Sequence, residues 1–261
     1  MALAIGVGRG DARGMHLPWR RDPVLTVAGR SVTGRRAENQ DRWTVGPTWA
    51  VVCDGVGGHA GGATAAQLAL DVAVAHLAAP PTTEAGTGRR LRELADAANT
   101  AIAEGRAAGP AVADMATTLT AAIALPGRGD HRRWVVLQVG DSPAWRVGPD
   151  AARSITWDHN VVGDLVRAGA LTADQAVGHR GRHIVTRALG VAATVEPELF
   201  TVTLAPDETL VLASDGLSDV AEPEAALDAC ADPDVGAAAD ALVTLALDRG
   251  TMDNVTVVVA R

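Results

Sequence analysis

The chain has 261 residues, of which 48% are apolar and 21% charged, and its net charge is −8. This composition supports a domain with a real core and excludes an intrinsically disordered chain. The acidic balance argues against a general nucleic-acid-binding or anionic-membrane surface. Two distant cysteines, Cys53 and Cys230, exclude a disulfide framework or a cysteine-based zinc site, and we expect both to be buried and free.

The first 22 residues differ from the rest of the sequence. They are rich in Gly, Arg and Pro and show no sustained period, so we expect a flexible leader at 1–22, with Met15 as an alternative start. The segment lacks the pattern of a signal peptide, and no apolar run approaches the roughly 18 residues that a membrane span needs. We therefore expect a cytoplasmic protein without a membrane anchor.

From residue 23 the pattern becomes orderly, and we predict a single domain over 23–261. The predicted elements are, in order, strands within 24–34 and 48–55, helices over 63–79 and 88–108, strands over 117–125, 133–141, 144–148 and 154–158, short helices and loops over 160–190, two strands within 199–216, helices over 223–230 and 235–250, and a strand over 255–260. Strands dominate and the helices come in pairs. This order favours an α+β fold, an antiparallel β-sandwich flanked by helix pairs in α-β-β-α layers.

Four aspartates stand at the ends of apolar runs. Asp54, Asp141 and Asp215 each close such a run beside a glycine, and Asp253 precedes the last strand. A single Asp-Gly pair after an apolar run is usually a turn. Four together suggest a shared site, because aspartate is disfavoured within strands and costly to bury alone. Carboxylates without His or Cys partners suit Mg²⁺ or Mn²⁺, and two such ions can activate water and stabilise phosphoryl charge.

The strings around these aspartates also carry a resemblance. They are RSVTGRRAENQD (30–41), VVCDGVGGHAGG (51–62), MATTLT (115–120), VGDS (139–142), TWDHN (156–160), RHIVTRALG (182–190), SDGLSD (214–219) and DNVTVVV (253–259). In this order and spacing the sequence resembles the type-2C, metal-dependent serine/threonine protein phosphatases (the PPM family), and its bacterial branch in particular. The likeness runs from about Arg30 to the end of the chain.

The resemblance implies a set of metal ligands. Asp54 would bridge two Mn²⁺ or Mg²⁺ ions, Gly55 would offer its carbonyl to one, and Asp215 and Asp253 would complete the other. Asp141 and Asp219 match positions that, in bacterial relatives, help to hold a third, weaker ion.

It also implies residues around the metals. Arg36 would hold the substrate phosphate, which suits the fork of a guanidinium group. Asp41 would orient metal-bound water, Gln40 would lie near a metal, and Asn254 would brace Asp253 from behind.

The implied activity is hydrolysis of phosphoserine or phosphothreonine by direct attack of a metal-bridging water. The partners would be phosphorylated proteins, including a serine/threonine kinase and its substrates, with no role for nucleic acid or membrane. Residues 160–190 resemble the flap subdomain that the family places beside its active site.

The sequence departs from the family pattern at four positions. Gln40 replaces a common Glu, Val56 stands where animal relatives have a His, Ala116 replaces a Gly, and Pro143 replaces an Arg. The first two leave open a pseudophosphatase, a phosphoprotein-binding regulatory module with little turnover. A two-metal phosphohydrolase acting on a nucleotide or metabolite is a second alternative.

Other candidates are weaker. His59, His159 and His183 fit structural hydrogen bonding better than catalysis. Cys53 lacks the basic surroundings of a nucleophile, which argues against a cysteine-phosphatase mechanism.

Overall fold

A computed structural model of the chain describes residues 25–56, 61–81, 83–109, 112–127, 130–176 and 178–261. The predictions of a leader at 1–22, of Met15 as a start and of a role for His59 lie outside the described residues.

Antiparallel strands form the frame of the domain. Their bounds are β1 Val27–Val32, β2 Arg42–Val45, β3 Trp49–Cys53, β4 Gly55–Val56, β5 Ala116–Thr117, β6 Leu119–Ala124, β7 Arg132–Val139, β8 Ala144–Val147, β9 Ala152–Ser154, β10 Glu198–Leu204, β11 Thr209–Ala213 and β12 Val255–Ala260. One five-stranded sheet has the order β1-β12-β11-β8-β9, and the other has the order β10-β7-β6-β3-β2. Strands β4 and β5 form a small separate ladder.

The helices surround these sheets. Their bounds are α1 Gly61–Leu77, α2 Glu84–Gly105, α3 Val161–Arg167, α4 Ala173–Ala176, α5 Asp215–Ser218 and α6 Val235–Asp248. Single 3₁₀ turns occur at Arg106–Ala108, Arg180–His183 and Pro223–Ala226. Among the described residues no helix has both the length and the apolar character needed to cross a membrane.

Burial on both faces of the central strands creates the layers. On β3, Val51 and Cys53 pack against α1 and α2, whereas Ala50 and Val52 face the other sheet. On β12, the residues with odd numbers pack against α6 and Val258 faces inward. Strands buried on both faces read as continuous apolar runs, which explains their lack of polar alternation. The predicted α+β sandwich with outer helices is confirmed.

Several predicted boundaries were wrong for local reasons. Helix α2 begins four residues before the predicted start, because Thr83 caps it by accepting a hydrogen bond from Gly86 N at 3.1 Å. The strand predicted at 154–158 ends at Ser154, because side chains there replace the backbone as hydrogen-bond partners. The Ser154 hydroxyl donates to Thr156 O at 2.8 Å, and Ala144 N donates to Thr156 Oγ1 at 2.9 Å.

Two further corrections concern whole elements. The helix predicted at 223–230 is one 3₁₀ turn followed by turns. Strand β2 was missed because its four residues are all half-buried and follow a polar loop. By contrast, the end of α6 agrees with the prediction of a cap at Gly250, which has a φ of +80°.

Candidate active site

Both sheets deliver carboxylates to one end of the sandwich. Asp54 directly follows β3, Asp141 lies two residues beyond β7, and Asp215 opens α5 after β11 of the other sheet. Burial raises the pKa of Asp54 well above its usual range, and the nearby Asp215 carboxylate raises it further. Burial also raises the pKa of Asp215, with added repulsion from Asp141. The structure thus brings these sequence-predicted residues together.

Backbone contacts hold Asp54 in place. Thr118 N and the Thr117 hydroxyl both donate to Asp54 O at 2.8 Å, and Asp54 N donates to Thr118 Oγ1 at 3.0 Å. The Thr118 hydroxyl lies 2.7 Å from that of Ser142, in the turn that carries Asp141. Thr117 and Thr118 therefore fix the backbone that carries the Asp54 carboxylate, without placing a positive charge beside it.

Asp41 lies beneath this cluster, between the sheets. Its carboxylate accepts a hydrogen bond from Ser214 Oγ at 2.8 Å, and the same oxygen of Ser214 accepts one from Thr256 N. Burial raises the pKa of Asp41 to about 6, although the hydroxyls of Thr256 and Ser214 oppose the rise. At neutral pH this carboxyl can therefore exchange a proton or accept a hydrogen bond.

Asp253 lies at the mouth of the site and contacts Arg36. Arg36 Nη2 is 2.5 Å from Asp253 Oδ2, and the arginine side chain is 59% exposed. Asn254 donates its backbone N–H to Asp253 Oδ1 at 2.8 Å. The predicted phosphate anchor and a predicted metal ligand are thus direct neighbours, and Arg36 still reaches solvent.

Asp219 joins the site to the 160–190 segment. Its carboxylate lies 3.2 Å from Arg182 Nε and 3.0 Å from His183 Nδ1. Burial raises the pKa of Asp219, while His183 and Arg182 oppose the rise. Arg182 also donates to Ser218 O at 2.7 Å, so the 3₁₀ turn of this segment is tied to α5.

Sequence reasoning missed Asp158. Burial raises its pKa to about 7 against the opposing charge of Arg182. Asp141 is its neighbour: burial raises the pKa of Asp141 to about 7, and the Asp158 carboxylate adds to the rise. The available signal was the TWDHN string, in which this Asp does not close an apolar run.

His159, next in the chain, serves as a structural link. Its Nδ1 accepts a hydrogen bond from Gly140 N at 3.0 Å, and its Nε2 lies 3.0 Å from Arg187 Nη1 and 3.4 Å from Glu198 Oε1. Burial lowers the pKa of His159 to about 4, helped by Arg187. A neutral ring therefore connects the turn before Asp141 to strand β10.

The residues present fit a hard divalent cation. The donor set consists of carboxylate and carbonyl oxygens, and the buried carboxylates repel one another. At Gly55 an added Cβ would lie 2.4 Å from Gly62 O and 2.8 Å from Gln40 O, so only glycine allows this close approach. Within the described ranges, no three His, Cys, Asp or Glu side chains are arranged as a group that could hold a metal ion. The rim carboxylates instead contact arginines.

Comparison with known proteins adds a family and its relatives. The family model described as Protein phosphatase 2C matches residues 28–241. The serine/threonine protein phosphatase PstP of Mycobacterium tuberculosis is 38% identical over 240 residues, which are 91% of this chain and 45% of that protein. The chain thus spans about half the length of this relative.

Two further similarities cover nearly whole chains. The serine/threonine phosphatase stp of Listeria innocua is 31% identical over 249 residues, 93% of this chain and 94% of that protein. The crystal structure of the PstP catalytic domain in complex with two manganese ions superposes with a TM-score of 0.79 at 35% identity, over 91% of this chain and 97% of that one.

Proposed function

The chain belongs to the protein phosphatase 2C family, and on that premise we propose that it is a metal-dependent serine/threonine protein phosphatase. It hydrolyses phosphoserine and phosphothreonine by direct attack of water on phosphorus. The observation that supports this best is the cluster of buried carboxylates drawn from both sheets, with the exposed guanidinium of Arg36 at its mouth.

Two Mn²⁺ or Mg²⁺ ions would be held by Asp54, the Gly55 carbonyl, Asp215 and Asp253, with Asp141 and Asp219 offering a third, weaker site. A PstP structure that superposes on this chain contains two manganese ions. Bound cations supply positive charge that lowers the pKa of water and offsets the charge on the phosphoryl oxygens. These roles are consistent with the all-oxygen donor set.

The side chains around that cluster bind and orient. Arg36 is free on its solvent side to hold two phosphoryl oxygens with its planar fork. Asp41, whose carboxyl group interacts with that of Asp54, would orient the attacking water. Burial raises the pKa of the Cys53 thiol, so this neighbour of Asp54 stays protonated and does not act as a nucleophile. Val56 offers no proton, so the leaving oxygen takes one from water or from another group.

The 160–190 segment would contact the phosphoprotein. It lies beside the site through the Arg182–Asp219 ion pair, and irregular segments on rigid sheets often carry specificity. The partners are phosphorylated proteins, among them a serine/threonine kinase and its substrates. Exchange of this segment for that of a relative should change the preference among phosphoproteins and leave turnover of a small aryl phosphate nearly unchanged.

Purified protein tests the proposal directly. With Mn²⁺ we expect release of phosphate from phosphothreonine peptides, loss of turnover in EDTA, and a fall in kcat/KM of about 10³ or more in Asp54→Asn. Turnover that survives both treatments would exclude the metal assignment. Binding of phosphopeptides without turnover would instead indicate a pseudophosphatase, and faster hydrolysis of nucleotides than of peptides would indicate another class of phosphohydrolase.

A further inference from the structure

The loop from residue 33 to residue 40 is clamped at both ends by one side chain. Asn254 Nδ2 donates to Thr33 O at 2.8 Å and to Glu38 O at 2.9 Å, and Asn254 Oδ1 accepts from Gln40 N at 2.8 Å. Asn254 thus does more than support Asp253. It fixes the position of the loop that carries Arg35 and Arg36.

A glycine sets the direction of this loop. Gly34 has a φ of +60°, and an added Cβ would lie 2.0 Å from Asp253 O. The backbone at Gly34 therefore packs directly against the backbone of Asp253, and a residue with a side chain does not fit there. Arg35 and Arg36 follow at once, so both project from a fixed point at the edge of the carboxylate cluster.

The two arginines have different partners. Arg36 pairs with Asp253. Arg35 is exposed, and its recorded contact is with Met252 Sδ, 3.6 Å from Arg35 Nη1. In the part of the chain that the structure describes, no carboxylate lies within ion-pair distance of Arg35, whereas other arginines, such as Arg30 and Arg182, pair with aspartates.

A thioether is a weak acceptor, and a guanidinium has five donors. Most of the hydrogen-bonding capacity of Arg35 therefore faces solvent at the mouth of the site. Met252 is 62% exposed and directly precedes Asp253, which adds a polarizable apolar surface to the charge. We call these two residues the Arg35–Met252 shelf.

We propose that the Arg35–Met252 shelf is a second anion subsite, which binds an anionic side chain close in sequence to the phosphorylated residue while Arg36 binds the phosphate. This inference rests on the proposed phosphatase function. Neighbouring Cα atoms are 3.8 Å apart, so an anion that Arg35 reaches while Arg36 holds the phosphate lies within about three residues of it. The substrate class is a phosphoprotein segment with a carboxylate or a second phosphate beside the phosphosite.

A peptide series tests the shelf. Four phosphothreonine peptides differ only at the two positions on each side of the phosphothreonine, which carry Glu, Gln, Lys or phosphoserine. Because an exposed ion pair contributes up to about 1 kcal/mol, we expect kcat/KM about three- to fivefold higher for Glu than for Gln. The gain should appear in KM and should fall as NaCl rises from 50 to 500 mM.

Matched variants isolate the residue. Arg35→Gln should bring the Glu-to-Gln ratio to about 1, and Arg35→Glu should reverse it so that the Lys peptide is preferred. Arg89→Gln is the control, since Arg89 is an exposed arginine on α2, and it should keep the wild-type ratio. The ratio is read within each variant, so a general loss of activity does not affect it.

Binding of the same labelled peptides, measured by fluorescence anisotropy, separates the two proposals. A missing preference in binding and turnover, a preference that survives Arg35→Gln, or one that salt does not reduce overturns the shelf. Absence of turnover with all four peptides contradicts the phosphatase function. In that case the ratio of the binding affinities for the Glu and Gln peptides, measured by anisotropy, still tests whether the Arg35–Met252 shelf binds anions. A gain with Glu identifies a carboxylate as the bound anion, and a gain with phosphoserine alone identifies a second phosphate.

Discussion

The carboxylates of the site fall into two regions, which differ in whether a positively charged side chain compensates their negative charge. In the inner group, Asp41, Asp54 and Asp215, burial raises the pKa of each carboxyl group. Within the described residues none of the three forms an ion pair. The rim group, Asp253 and Asp219, pairs with Arg36 and with Arg182 and His183.

This difference shows which region depends on a cation. A buried carboxylate without a positive partner is costly and tends to take up a proton instead. The inner group therefore lowers the stability of the protein unless a cation joins it, whereas the rim group is already compensated by the chain. Substitutions of single residues in the two regions should therefore differ in their effects on stability.

The largest expected effect is a pH effect at Asp141, which borders the inner group. Its folded pKa of about 7 exceeds the 3.8 of an exposed aspartate, so between these pH values the folded state binds a proton that the unfolded state lacks. Stability in EDTA should then fall as pH rises from about 4 to 7, with a contribution of up to about 4 kcal/mol from this group.

Urea unfolding of the wild type and of Asp141→Asn across this range measures that contribution as a difference in slope. Asp248→Asn is the control: Asp248 is exposed at the C-terminal end of α6, and the slope of this variant should equal that of the wild type. Equal slopes in the Asp141 variant and the wild type would contradict the burial of an uncompensated charge at this position.

Next in size is stabilisation by Mn²⁺. At a hundred times its dissociation constant a ligand contributes about 2.7 kcal/mol, which for a chain of this size raises Tm by roughly 5–10 °C. Asp54→Asn should lose most of this shift and, in EDTA, should be at least as stable as the wild type, because one repelling charge is gone. An unchanged Mn²⁺ shift in this variant, measured by calorimetry, would remove Asp54 from the metal site.

A smaller effect is expected where hydroxyls position the inner group. Thr118→Val removes the acceptor for Asp54 N and the contact with Ser142, and should cost about 1–3 kcal/mol of unfolding free energy. Thr244→Val, whose hydroxyl donates only within α6, is the control and should change stability by about 0.5 kcal/mol or less. Similar losses in both variants would mean that the Thr118 hydroxyl has no special role.

The smallest effect should come from the rim. Arg182→Gln breaks a pair with Asp219 whose side chains are each 20% exposed, and should cost about 1 kcal/mol or less. The change should appear instead as faster amide exchange at residues 180–184, measured by mass spectrometry. A loss of 3 kcal/mol or more would show that rim and inner carboxylates do not differ in the way described.

The sequence determined much of this architecture because its signals are local. The runs that end at Asp54, Asp141 and Asp215 are strands buried on both faces, and such strands read as continuous apolar stretches followed by a polar residue. The end of α6 follows from a glycine next to it in the chain. The order of motifs was sufficient to predict the family that the family model then matched.

The tertiary structure alone decided which charges are compensated. Asn254 clamps Thr33 across 221 positions of sequence, and Arg36 meets Asp253 across 217. Such contacts leave no local pattern, because the strands and helices between them set the distance. For the same reason the sequence pointed to the carboxylates but missed Asp158 and could not divide the others into an uncompensated core and a compensated rim.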